Sequence, residues 1–145
     1  PSVPAARIDW DALAQLRAAV LRRLEVLRDA GSIGSSLDAD LYVYCLPQQA
    51  SVLSALGDEL RFYTITSGAS VQAVTADAVP AEAVPADTGA GLIEGVWLWA
   101  RPAAAAKCVR CWHKRVDVGS HADHPELCGR CAGNLLGLPE TRRFA

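Results

Sequence analysis

The sequence contains no methionine and no long apolar run, and each absence limits what the chain can be. A chain without an initiating methionine is expected to be processed or cut from something larger, and we favour a fragment of a longer protein. A membrane-spanning helix needs about 20 consecutive apolar residues. No run approaches that length, so the sequence predicts no membrane partner.

The chain also lacks any set of residues that is typical of a catalytic centre. It has no recognisable group of serine, histidine and carboxylate, and no glycine-rich loop of the kind that holds phosphate. Asp87-Thr88-Gly89 matches the tripeptide of aspartic proteases, but those enzymes need two copies so that two carboxylates share one proton. Only one copy is present, so we expect no catalytic residue in this chain.

Charge is distributed unevenly along the chain, although the formal net charge is only −2. Residues 1–106 carry 7 Lys and Arg against 12 Asp and Glu, a balance of −5. Residues 107–145 carry 7 against 4, a balance of +3. A basic end on an otherwise acidic chain indicates contact with a polyanion at that end.

The first hundred residues have the pattern of a mixed α and β body. Apolar residues at three- to four-residue spacing after Asp9 predict an amphipathic helix that ends at Gly31. Two short helices are expected over 47–56 and from about residue 58. Segments rich in β-forming residues predict three strands, at 39–46, 69–75 and 91–101.

The predicted fold class is therefore α+β, with a small mixed sheet of about three strands and two or three helices, followed by a four-cysteine zinc-finger module. The segment 77–91, rich in Pro, Ala, Asp and Gly, is expected to be a loop. Pro102 and four alanines then link the body to the cysteine-rich end. We place the boundary there, which gives one domain over 1–102 and a zinc finger with a basic tail over 103–145.

Four cysteines carry the clearest chemical signal in the sequence. They form two C-x-x-C pairs separated by 16 residues, Cys108 and Cys111, then Cys128 and Cys131. Two-residue spacers let neighbouring thiolates converge on one ion, and a tetrahedron of four thiolates around Zn²⁺ has no open position for a substrate. We therefore predict one structural zinc ion rather than a catalytic metal.

Redox dithiols and disulfides are the alternatives to zinc at these cysteines. A redox C-x-x-C motif usually occurs singly at a strand–helix junction, whereas two copies come together here. Disulfides would leave Cys45 unpaired in an apolar strand, and the sequence shows no signal peptide. The cysteine content fits a reducing cytosol, and a segment of about 40 residues is expected to depend on its metal for folding.

Residues beside the cysteines support a zinc site made of four sulfurs. Gly129 permits the tight turn that points amide groups at the sulfurs. Four thiolates and one Zn²⁺ leave two negative charges, which nearby cations are expected to offset, namely Lys107, Arg110 and Arg130. Since four sulfurs complete the shell, three histidines are expected to face solvent or RNA, namely His113, His121 and His124.

The cysteine-rich end resembles the C-terminal zinc finger of bacterial isoleucyl-tRNA synthetases. The residues that carry the resemblance are Cys-Val-Arg-Cys-Trp-His at 108–113 and His-Pro-Glu-Leu-Cys-Gly-Arg-Cys at 124–131. Two body segments, 34–39 and 57–62, resemble the region that precedes this finger in the family. The resemblance extends over roughly residues 10–145.

This resemblance implies that the chain is part of an enzyme that activates isoleucine with ATP and esterifies it to tRNA. The catalytic signatures of the family, H-I-G-H and K-M-S-K-S, and its editing residues are absent from the sequence. The chain is therefore expected to lack catalytic activity and to help hold isoleucine tRNA near its anticodon. The implied partners are that tRNA and the catalytic body of the parent synthetase, in the cytoplasm.

Basic and aromatic residues of the finger are the candidate RNA contacts. Cations supply salt-dependent contacts to phosphates, and aromatic rings can stack on unpaired bases. The expected phosphate contacts are Arg110, Lys114, Arg115, Arg142 and Arg143, with Trp112 and His113 as candidate stacking residues. The alternative for Trp112 is that it shields the zinc thiolates as part of a small core.

Two other binding functions fit parts of the sequence. In the first, the finger docks onto the parent enzyme without touching RNA, and Trp97 and Trp99, which share one strand face, favour such a protein contact. The second is DNA binding, because related fingers end certain DNA glycosylases. Those fingers carry an arginine in the hairpin turn, and the corresponding residues 119–123 contain none, so no DNA partner is expected.

Overall fold

A computed structural model describes residues 8–137 of the chain, without the side chain of Asp58. Within this range one mixed sheet contains four strands, in the order β2-β1-β4-β3. The strands are β1 (Ala39–Cys45), β2 (Gly68–Ala73), β3 (Val84–Asp87) and β4 (Leu92–Pro102). β1 and β2 are parallel, whereas β4 runs antiparallel to both β1 and β3. The α+β fold class is confirmed.

Four α-helices accompany the sheet in the described range. They are α1 (Trp10–Asp29), α2 (Pro47–Leu53), α3 (Leu60–Thr64) and α4 (Gly129–Leu135). The side chain of Asp9 accepts a hydrogen bond from the backbone N–H of Ala12 at 3.0 Å, as its predicted capping role requires. Local sequence signals therefore locate the start of the first helix correctly.

The helices α1 to α3 and one face of the sheet enclose the main core. The leucine stripe of α1 is fully buried in it, together with alternate residues of β1 and β4, among them Leu13, Leu16, Leu24, Leu41, Val43, Val96 and Leu98. Leu53, Leu56 and Leu60 join the same cluster, so the short helices pack on the same side as α1. Cys45 lies in this core with 0% exposure, as its place in an apolar strand predicts.

The sheet has one more strand than the sequence patterns indicate, because β3 lies inside the segment expected to be a loop. Two prolines obscure this strand in the sequence. Pro85 is tolerated because β3 is an edge strand, where one missing N–H does not interrupt the sheet. Ala86 is fully buried against the core, and that packing stabilises a strand that local propensity does not favour.

The second short helix, α3, is shorter than expected, because the backbone departs from α-helical geometry on both sides of it. A 3-10 helical segment, Ser54–Glu59, precedes α3 and contains Gly57 with φ of 57°. α3 then ends at Ile65, which adopts the left-handed conformation with φ of 56°. Helix α2 likewise stops at Leu53 rather than reaching residue 56.

The cysteine-rich end forms a second, smaller apolar cluster. Its buried members are Cys108, Leu127, Cys128, Cys131 and Ala132, and Cys111 and Val118 pack against them. The backbone N–H of Ala103 donates to the carbonyl of Asp38 at 2.7 Å, so the chain is still bonded to the sheet at this residue. The division at residue 103 stays a prediction. No helix within residues 8–137 is long and apolar enough to cross a membrane.

Candidate metal centre and its contact with the sheet domain

The structure brings the four predicted ligand cysteines together. The Sγ atoms of Cys108, Cys111, Cys128 and Cys131 all lie within 4.8 Å of one another, and those of Cys111 and Cys128 are 3.8 Å apart. Zn–S bonds of about 2.3 Å in a tetrahedron give sulfur–sulfur edges of about 3.8 Å. The separation of Cys111 and Cys128 equals this edge, and all four sulfurs are near enough to share one ion. A disulfide would need about 2.05 Å. All five cysteines of the chain are free thiols.

A tight turn presents the first cysteine pair. The N–H of Cys108 donates to the carbonyl of His113, and the N–H of Trp112 donates back to the carbonyl of Cys108, both at 2.9 Å. Trp112 has φ of 68°, an unusual value for a residue with a side chain, and this conformation closes the turn. A bridge between Lys107 and Lys114 holds the two sides of the hairpin.

A short helix presents the second cysteine pair. Cys128 is the N-cap of α4, and Cys131 lies in the first turn of that helix. A side chain at Gly129 would place its Cβ 2.6 Å from a carboxylate oxygen of Asp117, so the Asp117 side chain would have to move to admit one. The N–H of Gly119 donates to the carbonyl of Leu127 at 3.0 Å and ties the intervening loop to the second pair.

The electrostatics of the four thiols favour a bound cation. Burial raises the pKa of Cys108, but backbone N–H groups of Cys111, Cys128 and Arg110 outweigh it and lower the pKa to about 6. For Cys128 and Cys131, burial and then the neighbouring Cys111 sulfur raise the pKa above its ordinary value. Burial and the neighbouring sulfur thus disfavour ionisation of Cys128 and Cys131, and a divalent cation among the sulfurs would offset both effects.

The cations expected to offset the thiolate charge make specific contacts of their own. The guanidinium of Arg110 donates to the carbonyl of Cys131 at 3.2 Å. The ammonium of Lys107 lies 5.1 Å from the centroid of the Trp112 ring, and the guanidinium of Arg130 lies 5.3 Å from that of Phe62. Arg110 therefore contacts one of the four cysteines directly.

His113 connects the candidate metal site to the part of the chain that forms the sheet and helices α1 to α3. We call this part the sheet domain. Its side chain is only 8% exposed, and its ring meets the Phe62 ring edge-on with 5.7 Å between centroids. The expectation that His113 faces solvent is wrong, because Phe62 on α3 offers the imidazole an apolar partner inside the chain. Burial, followed by the positive charges of Arg61 and Arg130, lowers the pKa of His113 to about 4. The ring is therefore neutral at pH 7.

Ser67, just before β2, forms a second connection between finger and sheet domain. This fully buried residue donates its hydroxyl to the carbonyl of Leu37 and accepts a hydrogen bond from the N–H of Lys114. Arg115 donates to the carbonyl of Ser67 at 2.7 Å, and the ammonium of Lys114 lies 3.4 Å from a carboxylate oxygen of Asp38. The finger is thus bonded to two loops of the sheet domain.

The candidate RNA-contact residues differ in how they are presented. Arg110 and Trp112 are exposed, with 59% of the Trp112 surface open to solvent. Because Trp112 lies outside the buried cluster of the finger, the structure does not support the alternative that it shields the thiolates. Lys114 and Arg115 are partly exposed and contact the sheet domain, and His113 is buried. Arg142 and Arg143 lie outside the described residues.

The sequence predicted that Trp97 and Trp99 share one strand face, but not that Tyr42 and Arg101 join them on the sheet. Strand register places Tyr42 opposite Trp99, and Tyr44 opposite Trp97, on the face away from the main core. Arg101 donates to the Tyr42 hydroxyl at 3.0 Å, and its guanidinium lies 5.2 Å from the centroids of both the Tyr42 and Trp99 rings. The alternation of Tyr42 and Tyr44 in β1 was the available signal, but the pairing of the strands was needed to interpret it.

Comparison with known proteins agrees with this architecture. Residues 106–133 match the family described as "Zinc finger found in FPG and IleRS". Over 144 residues the chain is 46% identical to the isoleucine–tRNA ligase of Alkalilimnicola ehrlichii, which aligns 99% of this chain but 15% of that protein. Identity to the ligase of Ectopseudomonas mendocina is 49% over 139 residues, covering 96% and 14% of the two chains. The chain thus spans about 15% of the length of the curated relatives it matches.

Proposed function

Given that this chain corresponds in sequence to the zinc-finger-bearing C-terminal region of bacterial isoleucyl-tRNA synthetases, we propose that it helps position isoleucine tRNA near its anticodon. The observation that carries the proposal is the identity of 46% over 99% of the chain to an isoleucine–tRNA ligase. The ATP-dependent aminoacylation itself would take place in a catalytic domain outside this sequence. The proposal includes a cytoplasmic location and excludes DNA as a partner.

We propose one structural Zn²⁺ at the four cysteines. The supporting observations are the convergence of the four sulfurs within 4.8 Å of one another and the match of residues 106–133 to a zinc-finger family. When bound, the ion supplies positive charge and cross-links two segments that share only a small apolar cluster. The protein contributes the amides that lower the pKa of Cys108 and the turn that orients the first pair.

In this proposal the finger offers RNA an exposed and basic surface. Arg110 and Trp112 are its exposed members, with a guanidinium for phosphate and an indole for stacking. Lys114 and Arg115 continue the surface toward the sheet. Arg142 and Arg143, outside the described residues, are proposed as further phosphate contacts. The buried ring of His113 has the different role of holding the finger in place.

Salt-dependent binding of the full chain to isoleucine tRNA tests the proposal. Removing the cation that contacts one phosphate reduces the slope of log affinity against log salt concentration by about 1. We expect Arg110→Ala to weaken binding and to flatten that slope. Arg28→Ala, a matched change at an exposed position of α1, should leave the affinity and the slope unchanged. Equal affinity for tRNA and for an uncharged polymer, at every salt concentration, would refute the proposal.

A second candidate function is a zinc-stabilised module that docks on the parent enzyme without RNA contact. The observation that favours it is the use of finger residues His113, Lys114 and Arg115 for protein contact. Under this function, deleting residues 107–145 from the whole synthetase lowers its stability and leaves its tRNA affinity unchanged. Under the first function the same deletion lowers the affinity.

A further inference from the structure

One face of the sheet presents aromatic rings rather than aliphatic core residues. Helices α1 to α3 contribute their buried side chains to the opposite face. On the first face, three aromatic side chains remain partly exposed, and a fourth large residue, Arg101, is exposed. We call this set the aromatic face, and it consists of Tyr42, Trp97, Trp99 and Arg101.

The planar groups of the aromatic face are held in contact with one another. The rings of Tyr42 and Trp99 lie 5.2 Å apart between centroids, with an angle of 32° between their planes. The guanidinium of Arg101 is 5.2 Å from each ring and bonded to the Tyr42 hydroxyl. These contacts fix the orientation of Arg101, so an exposed planar cation lies beside two rings instead of moving freely in solvent.

Positive charge collects where the aromatic face meets the finger. Asp40 precedes Tyr42 by two residues on the same face and pairs in register with Arg101. Three cations act on this carboxylate, namely Arg101, Arg115 and Lys114. Lys114 also pairs with Asp38, so two carboxylates and three cations meet at this corner. The corner also joins the aromatic face to the surface of the finger proposed to contact RNA.

Aromatic rings, a guanidinium plane and neighbouring cations are the groups that recognise unpaired nucleic acid. Bases stack on aromatic side chains or on arginine planes, and cations contact the backbone between them. A protein partner is the competing occupant of this face, and the RNA titrations below distinguish the two. We propose that the aromatic face binds unpaired nucleotides of the tRNA, with Trp99 and Arg101 as stacking groups. This inference rests on the proposed function and names the surface that would perform it.

Alanine substitution at Trp99 tests the inference directly. The full chain is titrated with oligouridine, as an unpaired RNA, and with isoleucine tRNA. Loss of one base stack is expected to lower affinity for oligouridine by about 5- to 150-fold. Trp10→Ala is the matched control, since Trp10 is 44% exposed on α1 and lies outside the aromatic face. This control should bind both RNAs as the unchanged chain does.

Two substitutions at Arg101 separate the contribution of stacking to RNA affinity from that of charge. Arg101→Lys keeps the positive charge but removes the plane, so affinity for oligouridine should fall while its salt dependence is retained. Arg101→Ala should lower both. If either alanine variant fails to fold, Trp99→Phe serves instead, because it keeps a ring at this position. Oligouridine should quench the tryptophan fluorescence of the unchanged chain, and the part of that quenching due to the Trp99 indole should be lost in Trp99→Phe.

The outcomes distinguish this inference from the proposed function. If the unchanged chain binds tRNA in a salt-dependent way, but Trp99→Ala and Arg101→Ala bind both RNAs as tightly as Trp10→Ala, the inference is overturned and the proposed function stands. A loss of folding stability without any change in RNA affinity also overturns it and indicates a structural or protein-docking face. If the unchanged chain binds neither RNA, both proposals fail.

Discussion

His113 and Phe62 join the two parts of this chain, with their rings meeting edge-on at a centroid distance of 5.7 Å. His113 follows the ligand residue Cys111 by two positions, whereas Phe62 belongs to α3 of the sheet domain. The turn that orients the first cysteine pair therefore also orients the residue that docks the finger. The candidate metal site and the contact between finger and sheet consequently share one short segment.

Removing the metal is expected to disorder the finger and to leave the sheet domain folded. The small cluster of buried finger residues cannot replace the ion, whereas the main core is independent of it. Hydrogen exchange with and without a chelator measures this, with loss of amide protection expected over 107–131. Cys111→Ser should lose bound zinc, and Cys45→Ala, a change in the main core, should keep it. Unchanged protection in the chelated chain would contradict the prediction.

Replacing His113 by alanine should loosen the docking of the finger without removing its metal. The substitution removes a buried ring and its contact with Phe62, which we expect to lower the free energy of unfolding by about 1–3 kcal/mol. Urea unfolding and zinc content of the same samples measure the two effects separately. His121→Ala, a change at a partly exposed finger histidine, is the control. Loss of zinc from the His113 variant would show that its role is in the metal site instead.

The Ser67 hydroxyl should stabilise the contact between finger and sheet domain. Ser67→Ala leaves the carbonyl of Leu37 and the N–H of Lys114 without this partner in a buried position. We expect a loss of about 1–3 kcal/mol in the free energy of unfolding. Thermal or urea unfolding measures it against Ser70→Ala, which alters an exposed serine of β2. Equal effects of the two substitutions would refute the assignment.

Stability should fall in acid through protonation of Asp38. Burial raises the pKa of this carboxyl, but the N–H groups of Ser35 and Gly34 and the charge of Lys114 outweigh it, so the folded pKa is lowered. A lowered folded pKa contributes stability that is fully present above the unfolded pKa of about 3.9 and is lost as pH falls through the folded value.

The measurement for Asp38 is urea unfolding of the unchanged chain and of Asp38→Asn across pH. The difference in free energy of unfolding between them should be constant from neutral pH down to about pH 5 and should shrink below about pH 4. Asp29→Asn, a change at an exposed position at the end of α1, controls for general acid effects. A difference that grows as the pH falls would have the wrong sign and would contradict the assignment.

Much of the fold and of the metal site could be predicted from local patterns. Asp9 and the leucine spacing that follows it located α1, since a helix depends on contacts between residues three and four apart. The two C-x-x-C pairs predicted which sulfurs converge, because each pair is local and a shared ion requires the two pairs to meet. Strands β1, β2 and β4 followed from runs of β-forming residues.

Features that depend on distant parts of the chain could not be predicted in this way. β3 exists because β4 pairs with it and Ala86 packs into the core, although its prolines suggest a loop. The docking of His113 on Phe62 joins two segments that are far apart in the sequence, and no pattern in either segment specifies the other.

By itself, then, the sequence determined which four cysteines converge, the leading helix and the resemblance to a synthetase finger, all of which are recorded in short spacings. Tertiary structure alone decided that His113 is buried and that Tyr42, Trp99 and Arg101 share a surface. The physical reason is that burial and strand register are properties of pairs of segments, and the free energy that selects them arises only when those segments meet.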